Sequence, residues 1–319
     1  MSHRILVLEG ITERGAEILK SEGFSLDMEK ALPPAELVKL VPPYDAILVR
    51  SGSQMNAEVI DAAKSLKVIG RAGVGVDNVD LAAATRRGVL VMNSPGGNTL
   101  STAELAVALM LALARNIAPA DAAMKGEKWD RKSFAGVELY GKRLGVIGFG
   151  RIGRNTARIC HQGFRMPILY HDVVAAPPDV EAESQAKRMG LEGLLRTADY
   201  VSLNLPLLPE TRHIIGREQI RMMKPTAYLL NLGRGPLWDE TAVLEALEQQ
   251  WIAGAGTDVF EEEPTAKDNP LFRHRRFVCT PHMAAHTDEA MRRMSLVAED
   301  VMAVLEGKEP RWPANRPKR

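Results

Sequence analysis

Short apolar runs alternate with stretches of helical periodicity along almost the whole chain, the pattern of strands whose crossover helices return to parallel sheets. Two sets stand out. In the first, strands are predicted over residues 5–8, 46–49, 67–69 and 89–92, with helices over 12–21, 34–40, 57–63 and 80–86. In the second, strands are predicted over 144–147, 168–170, 200–203, 227–231, 254–258 and 277–280, with helices over 151–162 and 239–249 among the connections. Between the sets, residues 101–116 leave almost no polar face, so this helix must be buried on most sides. After the last strand, Met291, Met294, Val297, Ala298, Val301, Val304 and Leu305 mark one long helix over 288–305. It is expected to return to the first set and make the outer domain discontinuous, 1–97 with 287–319 around an inner domain of 98–286.

Composition narrows the class. A chain of 319 residues can hold two domains with cores of their own, and 45% hydrophobic content with a net charge of +1 offers nucleic acid no basic field. The basic tail 311–319, interrupted by Pro313 and Pro317, reads as a frayed terminus. Cys160 and Cys279 are too few for a disulfide framework and fit a reducing cytosol. The start leads into a strand, not a signal segment, and the longest apolar run, 105–114, is too short to cross a bilayer. The expectation is a cytoplasmic protein with neither nucleic acid nor membrane as partner. No metal is expected, since neither cysteine lies beside paired histidines at ligand spacing.

The strand over 144–147 turns into a helix through Gly148, Gly150 and Gly153, spaced GxGxxG. The first glycine allows the tight turn, the second lets backbone approach a pyrophosphate, and the third lets helix and strand pack closely. Arg151 and Ile152 open the helix whose N–H groups would receive the phosphates. The next strand ends at Asp172, where a ribose-binding carboxylate belongs. A carboxylate there faces a 2′-phosphate as a like charge, costing about 4 kcal/mol at about 4 Å and an effective dielectric near 20. NAD is therefore expected over NADP, and 173–176 offer no arginine to receive a phosphate.

Three further motifs follow strands, where open α/β sheets place their ligands. Arg234, flanked by Gly233 and Gly235, can reach into a cleft and hold a carboxylate with both arms of its guanidinium. The acidic run 258–263 alone would read as a solvated loop, and His282 alone as a structural histidine. Together they supply what hydride transfer at a hydroxyl carbon needs: a proton acceptor, a carboxylate to orient it and a cation for the substrate acid.

The stretches 71–80, 148–153, 206–209, 231–235, 258–264 and 280–282 closely resemble the D-isomer-specific 2-hydroxyacid dehydrogenases, and within them the catalytic part of the phosphoglycerate dehydrogenases. The resemblance covers nearly the whole chain, in order. It implies an α/β fold, a Rossmann-type doubly wound parallel sheet plus a smaller flavodoxin-like α/β domain, with a cleft between them. It also implies a homodimer packed through the apolar helix 101–116. The catalytic residues it implies are Arg234, Glu263 and His282, which leaves Glu261 and Glu262 as surface charges. His282 would take the hydroxyl proton, Glu263 would orient the ring and favour its charged form, and Arg234 would hold the carboxylate or the 2-oxo group. Asp258, Leu232 and Gly233 would approach the nicotinamide, Pro206 and Thr211 would line the cofactor groove, and Ala285 would also touch the cofactor. Arg50, Val74, Gly75 and Asn98 would face the substrate.

The implied reaction is NAD-dependent interconversion of a D-2-hydroxy acid and its 2-oxo acid. Arg50, Arg131 and Lys132 resemble basic residues of the phosphoglycerate group and favour 3-phosphoglycerate oxidised to 3-phosphohydroxypyruvate, a step of serine biosynthesis. Met283, Ala284 and His286 stand where that group commonly has a small glycine-containing segment, and Gly233 where it often has alanine. Such changes shift preference among related acids by about 1–3 kcal/mol, so glyoxylate or hydroxypyruvate reduction competes. An NAD-sensing binding protein on the same scaffold is the alternative of a different class. A formate dehydrogenase fits less well, because that relative pairs its histidine with glutamine. The end of the chain soon after the returning helix implies that the regulatory domains of longer members are lacking, and with them serine feedback.

Overall fold

The computed structural model describes residues 3–9, 11–21 and 23–317. Met1, Ser2, Lys318 and Arg319, at the two ends of the chain, lie outside them. The chain divides into two compact units, Met1–Thr99 with Ala285–Arg319, and Leu100–Ala284.

The first unit holds a parallel sheet of β1 (Arg4–Leu8), β2 (Ser25–Glu29), β3 (Ala46–Val49), β4 (Val68–Arg71) and β5 (Leu90–Asn93) in the order β2-β1-β3-β4-β5. This is the flavodoxin-type order, in which the chain runs one way from β1 and the other way from β3. Successive side chains of a strand point to opposite faces, and each face has its own apolar core. Leu6, Leu8, Ile47 and Val49 join one core, whereas Ile5, Val7, Ala46 and Leu48 join the other. Strands buried on both faces read as uninterrupted apolar runs, which is why these were visible in the sequence. β2 was not predicted. It lies at the sheet edge with Met28 half exposed, and its Asp27 is tied to Arg4 and Tyr44.

Two expectations for this unit are corrected. The single helix over 288–305 is two, Asp288–Ser295 and Val297–Leu305, with Leu296 between them. The Ser295 hydroxyl donates to the Met291 carbonyl, and the Ser94 hydroxyl donates to the Met294 carbonyl, drawing backbone acceptors away from the helical ladder. Met294, Val297, Ala298 and Val301 still reach the core beside Ala46 and Leu48. The tail is also not frayed over 311–315. Ala314 N donates to the Val91 carbonyl, Asn315 accepts from Val91 N, and Arg311 bonds Asp300, so the tail covers the open edge of β5.

The second unit holds a parallel sheet of β6 (Leu144–Ile147), β7 (Ile168–His171), β8 (Lys187–Arg188), β9 (Tyr200–Leu203), β10 (Tyr228–Asn231), β11 (Gly254–Thr257) and β12 (Phe277–Cys279). The order β12-β11-β10-β9-β6-β7-β8 is the doubly wound Rossmann arrangement with a seventh strand added, and it reverses between β6 and β9. β8, an exposed edge pair of residues, has no apolar run and was not predicted. The apolar helix is Thr99–Ala114, with Ala106, Leu109, Met110, Leu113 and Ala114 buried beside Leu144 and Val146. No single helix among the described residues is long and apolar enough to cross a membrane.

Candidate active site

The glycine turn sits at the reversal point of the larger sheet. Gly148 has φ 90°, open to glycine at little cost, and a Cβ on it would lie 2.8 Å from the Asn204 backbone that follows β9. Gly150 is exposed with open space around it and caps the helix Arg151–Phe164, while Gly153 is buried against Val146. Arg151 is exposed and Ile152 half-buried at the first turn. An accessible helix N-terminus behind a turn that no side chain fills suits a pyrophosphate, and the Asn204 Oδ1 close by is buried without a hydrogen-bond partner. These residues fit a dinucleotide.

Asp172 follows β7 and its carboxylate accepts from Phe149 N at 2.7 Å and from Val174 N at 3.2 Å, joining the glycine turn to the next loop. The residues just after it contain no arginine, but the sheet brings one. Arg188 of β8 donates to the carbonyls of Asp172 and Val173 at 2.9 and 3.0 Å. Sequence reasoning missed it because β8 carries no apolar signal. Across the turn, the Thr211 hydroxyl donates to the Pro206 carbonyl at 2.7 Å and accepts from Leu208 N, shaping the loop after β9.

Arg234, Glu263 and His282 all follow strands at the carboxyl edge of this sheet. After β10, the buried Asn231 side chain donates to the carbonyls of Arg234 and Gly235 and accepts from Gly233 N, folding the arginine loop; Leu232 is buried beneath it. Gly235 then presses on the backbone of Phe260 and Glu261, an approach only a residue without Cβ permits. The arginine loop is thus held against the acidic one.

After β11, Asp258 is 1% exposed, and its oxygens accept from the Thr280 hydroxyl at 2.6 Å and from Met283 N and Ala284 N at 2.8 Å. His282 N donates to the Asp258 carbonyl at 2.8 Å, and His282 takes φ 51°. Expected at the nicotinamide, Asp258 has both carboxylate oxygens engaged in holding the loop that presents His282. Glu263 accepts from Phe260 N at 3.0 Å through Oε1 and meets His282 Nδ1 at 2.6 Å through Oε2. Burial pushes the Glu263 carboxyl up, but the His282 hydrogen bond, the Phe260 amide and the charges of His282 and Arg234 outweigh it and hold it below its ordinary value. Glu261 is exposed, accepts from Glu240 N at the start of the helix Glu240–Glu248 and meets His213. An apolar cavity of about 430 Å³ lined by Phe260, Phe272, Cys279 and Pro281 flanks the Glu263–His282 pair. Burial pushes the Cys279 thiol up from its ordinary value.

The other expected residues fall elsewhere. Arg131 and Lys132 are exposed in the second unit, where Asp130 accepts from Lys132 N and Arg275 holds the Ser133 carbonyl. That tether precedes β12, at the opposite end of the strand from His282, so within one chain these cations do not join the triad. Arg50, Val74, Gly75 and Asn98 belong to the first unit, as does Ala285, which packs partly buried against its core. Asn93 donates to the Val74 carbonyl, and the buried Asn78 donates to the carbonyls of Arg50 and Ser53 at 2.6 and 2.7 Å. Arg50 Nη2 lies 3.2 Å from His286 Nε2. Among the described residues no group of histidine, cysteine and acidic side chains could hold a metal ion.

The family model described as "D-isomer specific 2-hydroxyacid dehydrogenase, NAD binding domain" matches residues 107–284. The D-3-phosphoglycerate dehydrogenase of Methanocaldococcus jannaschii is 45% identical over 307 residues, 95% of this chain but 58% of that relative. This chain therefore spans little more than half the length of that relative. The glyoxylate reductase of Korarchaeum cryptofilum is 41% identical over 97% of this chain and 95% of its own length. A crystal structure of a Thermus thermophilus protein superimposes with a TM-score of 0.91 at 37% identity, covering 98% of this chain and 99% of that one.

Proposed function

The chain belongs to the D-isomer-specific 2-hydroxyacid dehydrogenase family and carries its NAD-binding domain, and we propose that it interconverts a D-2-hydroxy acid and its 2-oxo acid, with D-3-phosphoglycerate and 3-phosphohydroxypyruvate as the pair. The observation that carries the reading is the 2.6 Å contact between Glu263 and His282, on a sheet whose reversal point holds the glycine turn.

NAD, when bound, would supply the hydride acceptor; Gly150, Arg151 and Ile152 would hold its pyrophosphate and Asp172 its ribose. Glu263 engages Nδ1 of His282, which leaves Nε2 for the substrate. In oxidation the substrate O–H bond breaks and its proton passes to Nε2, while the C2–H electron pair leaves as hydride and the C=O bond forms. In reduction the protonated ring returns that proton. Glu263, held ionised, fixes the ring and stabilises its positive charge. Arg234 binds the substrate carboxylate and stabilises charge on the oxo group. Asp258 serves by holding the 280–284 loop. Arg50, Val74, Gly75 and Asn98 bind the rest of the acid, Arg50 as the cation for a phosphate.

Glyoxylate or hydroxypyruvate reduction is the second reading, favoured by the glyoxylate reductase relative matched over nearly its full length and by Met283 and Ala284 beside His282. We also propose a homodimer, because Trp129 is 78% exposed and Ile117, Met124 and Tyr140 are each more than half exposed in the same part of the chain. Purified protein should form NADH from NAD and 3-phosphoglycerate faster than from glycerate or glycolate. Faster oxidation of NADH by glyoxylate or hydroxypyruvate than by 3-phosphohydroxypyruvate would favour the second reading. No change in NADH with any of these acids would overturn the enzyme reading and leave an NAD-binding protein on the same scaffold.

A further inference from the structure

The smaller sheet has a reversal point of its own, and the residues at it do not belong to the glycine turn or the triad. β1 and β3 are neighbours whose chains continue in opposite directions, so the space beyond their carboxyl ends is where an open α/β sheet receives a ligand. Glu9 follows β1 and Arg50 follows β3. Asn78 clamps the carbonyls on either side of the arginine loop, and Glu9 accepts from Gly52 N at 2.6 Å, so the backbone carrying Arg50 is held at two places. The third contact is made by a side chain remote in sequence. His286 Nε2 lies 3.2 Å from Arg50 Nη2.

A guanidinium has only donors, so a hydrogen bond across this distance needs the Nε2 lone pair of His286 as acceptor. Its position is set by the helix that begins just after it. Thr287 caps the helix Asp288–Ser295, accepting from Ala290 N at 3.1 Å, and Ala290 and Met294 are buried in the core of the unit. The imidazole is therefore presented from an anchored helix start to a half-buried cation. Arg50 is left with N–H donors beyond the one given to His286, at a place where Glu9 already has one carboxylate oxygen on Gly52.

We infer that His286 is a specificity residue: by accepting from Arg50 it holds the guanidinium in the orientation that receives the distal phosphate of the substrate. This rests on the phosphorylated-acid reading above and adds to it a positioning residue that works through Arg50. His286 is exposed, and turnover of glyoxylate by each variant reports whether the fold is kept.

The experiment compares wild type with His286→Ala, His286→Phe and His286→Gln, measuring kcat and KM for 3-phosphohydroxypyruvate and for glyoxylate with NADH. Loss of one hydrogen-bond acceptor should raise KM for the phosphorylated acid about fivefold in the alanine and phenylalanine variants, with kcat unchanged. Glutamine, whose Oε1 reaches the place of Nε2, should restore it. Glyoxylate, which has no distal anion, should show the same KM in all four proteins and serves as the folding control. An unchanged KM for the phosphorylated acid in His286→Ala, an equal rise for both acids, or no rescue by glutamine would overturn the role of His286 while leaving the enzyme reading in place. Wild-type protein that reduces glyoxylate but not the phosphorylated acid would overturn the phosphate reading of Arg50, and this inference with it.

Discussion

The two sheets each reverse their strand order once, and the two reversals are furnished differently. At β6 and β9 the furniture is backbone: a glycine at φ 90° and an exposed helix start. At β1 and β3 it is side chains: Arg50, Glu9, Asn78 and His286, drawn from separate parts of the chain. A backbone site can hold a group that is the same in every reaction, because N–H groups at a helix start recognise phosphate whatever is attached to it. A side-chain site can be altered one residue at a time, which suits the part of the ligand that differs between relatives. The function proposed above divides in the same way, with cofactor and proton transfer on the larger unit and substrate choice on the smaller.

The strongest way to break this division is through the chemistry assigned to the larger sheet alone. His282→Ala should lower kcat about 10³-fold and Glu263→Gln about 10²-fold, with KM for NAD within about twofold of wild type. Turnover at the wild-type rate in His282→Ala would remove proton transfer from this sheet. Next in size is cofactor choice. Asp172→Ala removes a carboxylate that would face a 2′-phosphate and leaves Arg188 beside the same loop, so the ratio of NADP to NAD use should rise about 10²-fold. Adding Arg188→Ala to that variant should lower the ratio again; steady-state kinetics with both nucleotides decides it.

A paired substitution sharpens the comparison. Gly148→Ala forces a side chain into a left-handed turn against the Asn204 backbone and should cost about 1–3 kcal/mol of stability, with weaker NAD binding. Asn78→Ala leaves the carbonyls of Arg50 and Ser53 without their donor and should cost a similar amount, about 1–3 kcal/mol. Here, however, KM for the acid should rise while NAD affinity stays put. Equal loss of NAD binding in the two variants, read by calorimetric titration, would dissolve the division of labour.

The smallest effect concerns pH. Burial pushes Asp45 and Asp199 up, but Lys67, Arg4 N and His3 around the one, and Lys224 with Arg143 N around the other, hold both below the ordinary carboxylate range. A carboxyl depressed in the folded state contributes stability above its unfolded pKa, near 4, and loses it as pH falls through the folded value. The unfolding temperature should therefore fall on acidification below about pH 4.5. Lys224→Met should shrink that fall through the larger unit, and Lys67→Met through the smaller; differential scanning calorimetry reads both.

The α/β class, the buried strands and the glycine turn are written in local patterns of residues: a strand covered on both faces must be apolar throughout, and a turn at positive φ asks for glycine where it stands. His282 was legible as a motif, and Glu263 only through resemblance, since three consecutive acids offer no local reason to choose the last. The edge strands β2 and β8 were invisible because an edge needs little apolar surface, and Arg188 was lost with the second of them. The break at Leu296 and the docking of the tail on β5 depend on partners distant along the chain, Ser94 and Val91 among them. Only the tertiary structure could show that Asp258 is engaged by the 280–284 loop, that Arg131 and Lys132 lie at the other end of their sheet, and that His286 meets Arg50. Each of these depends on a side chain reaching another element, and periodicity along one element carries no information about that distance.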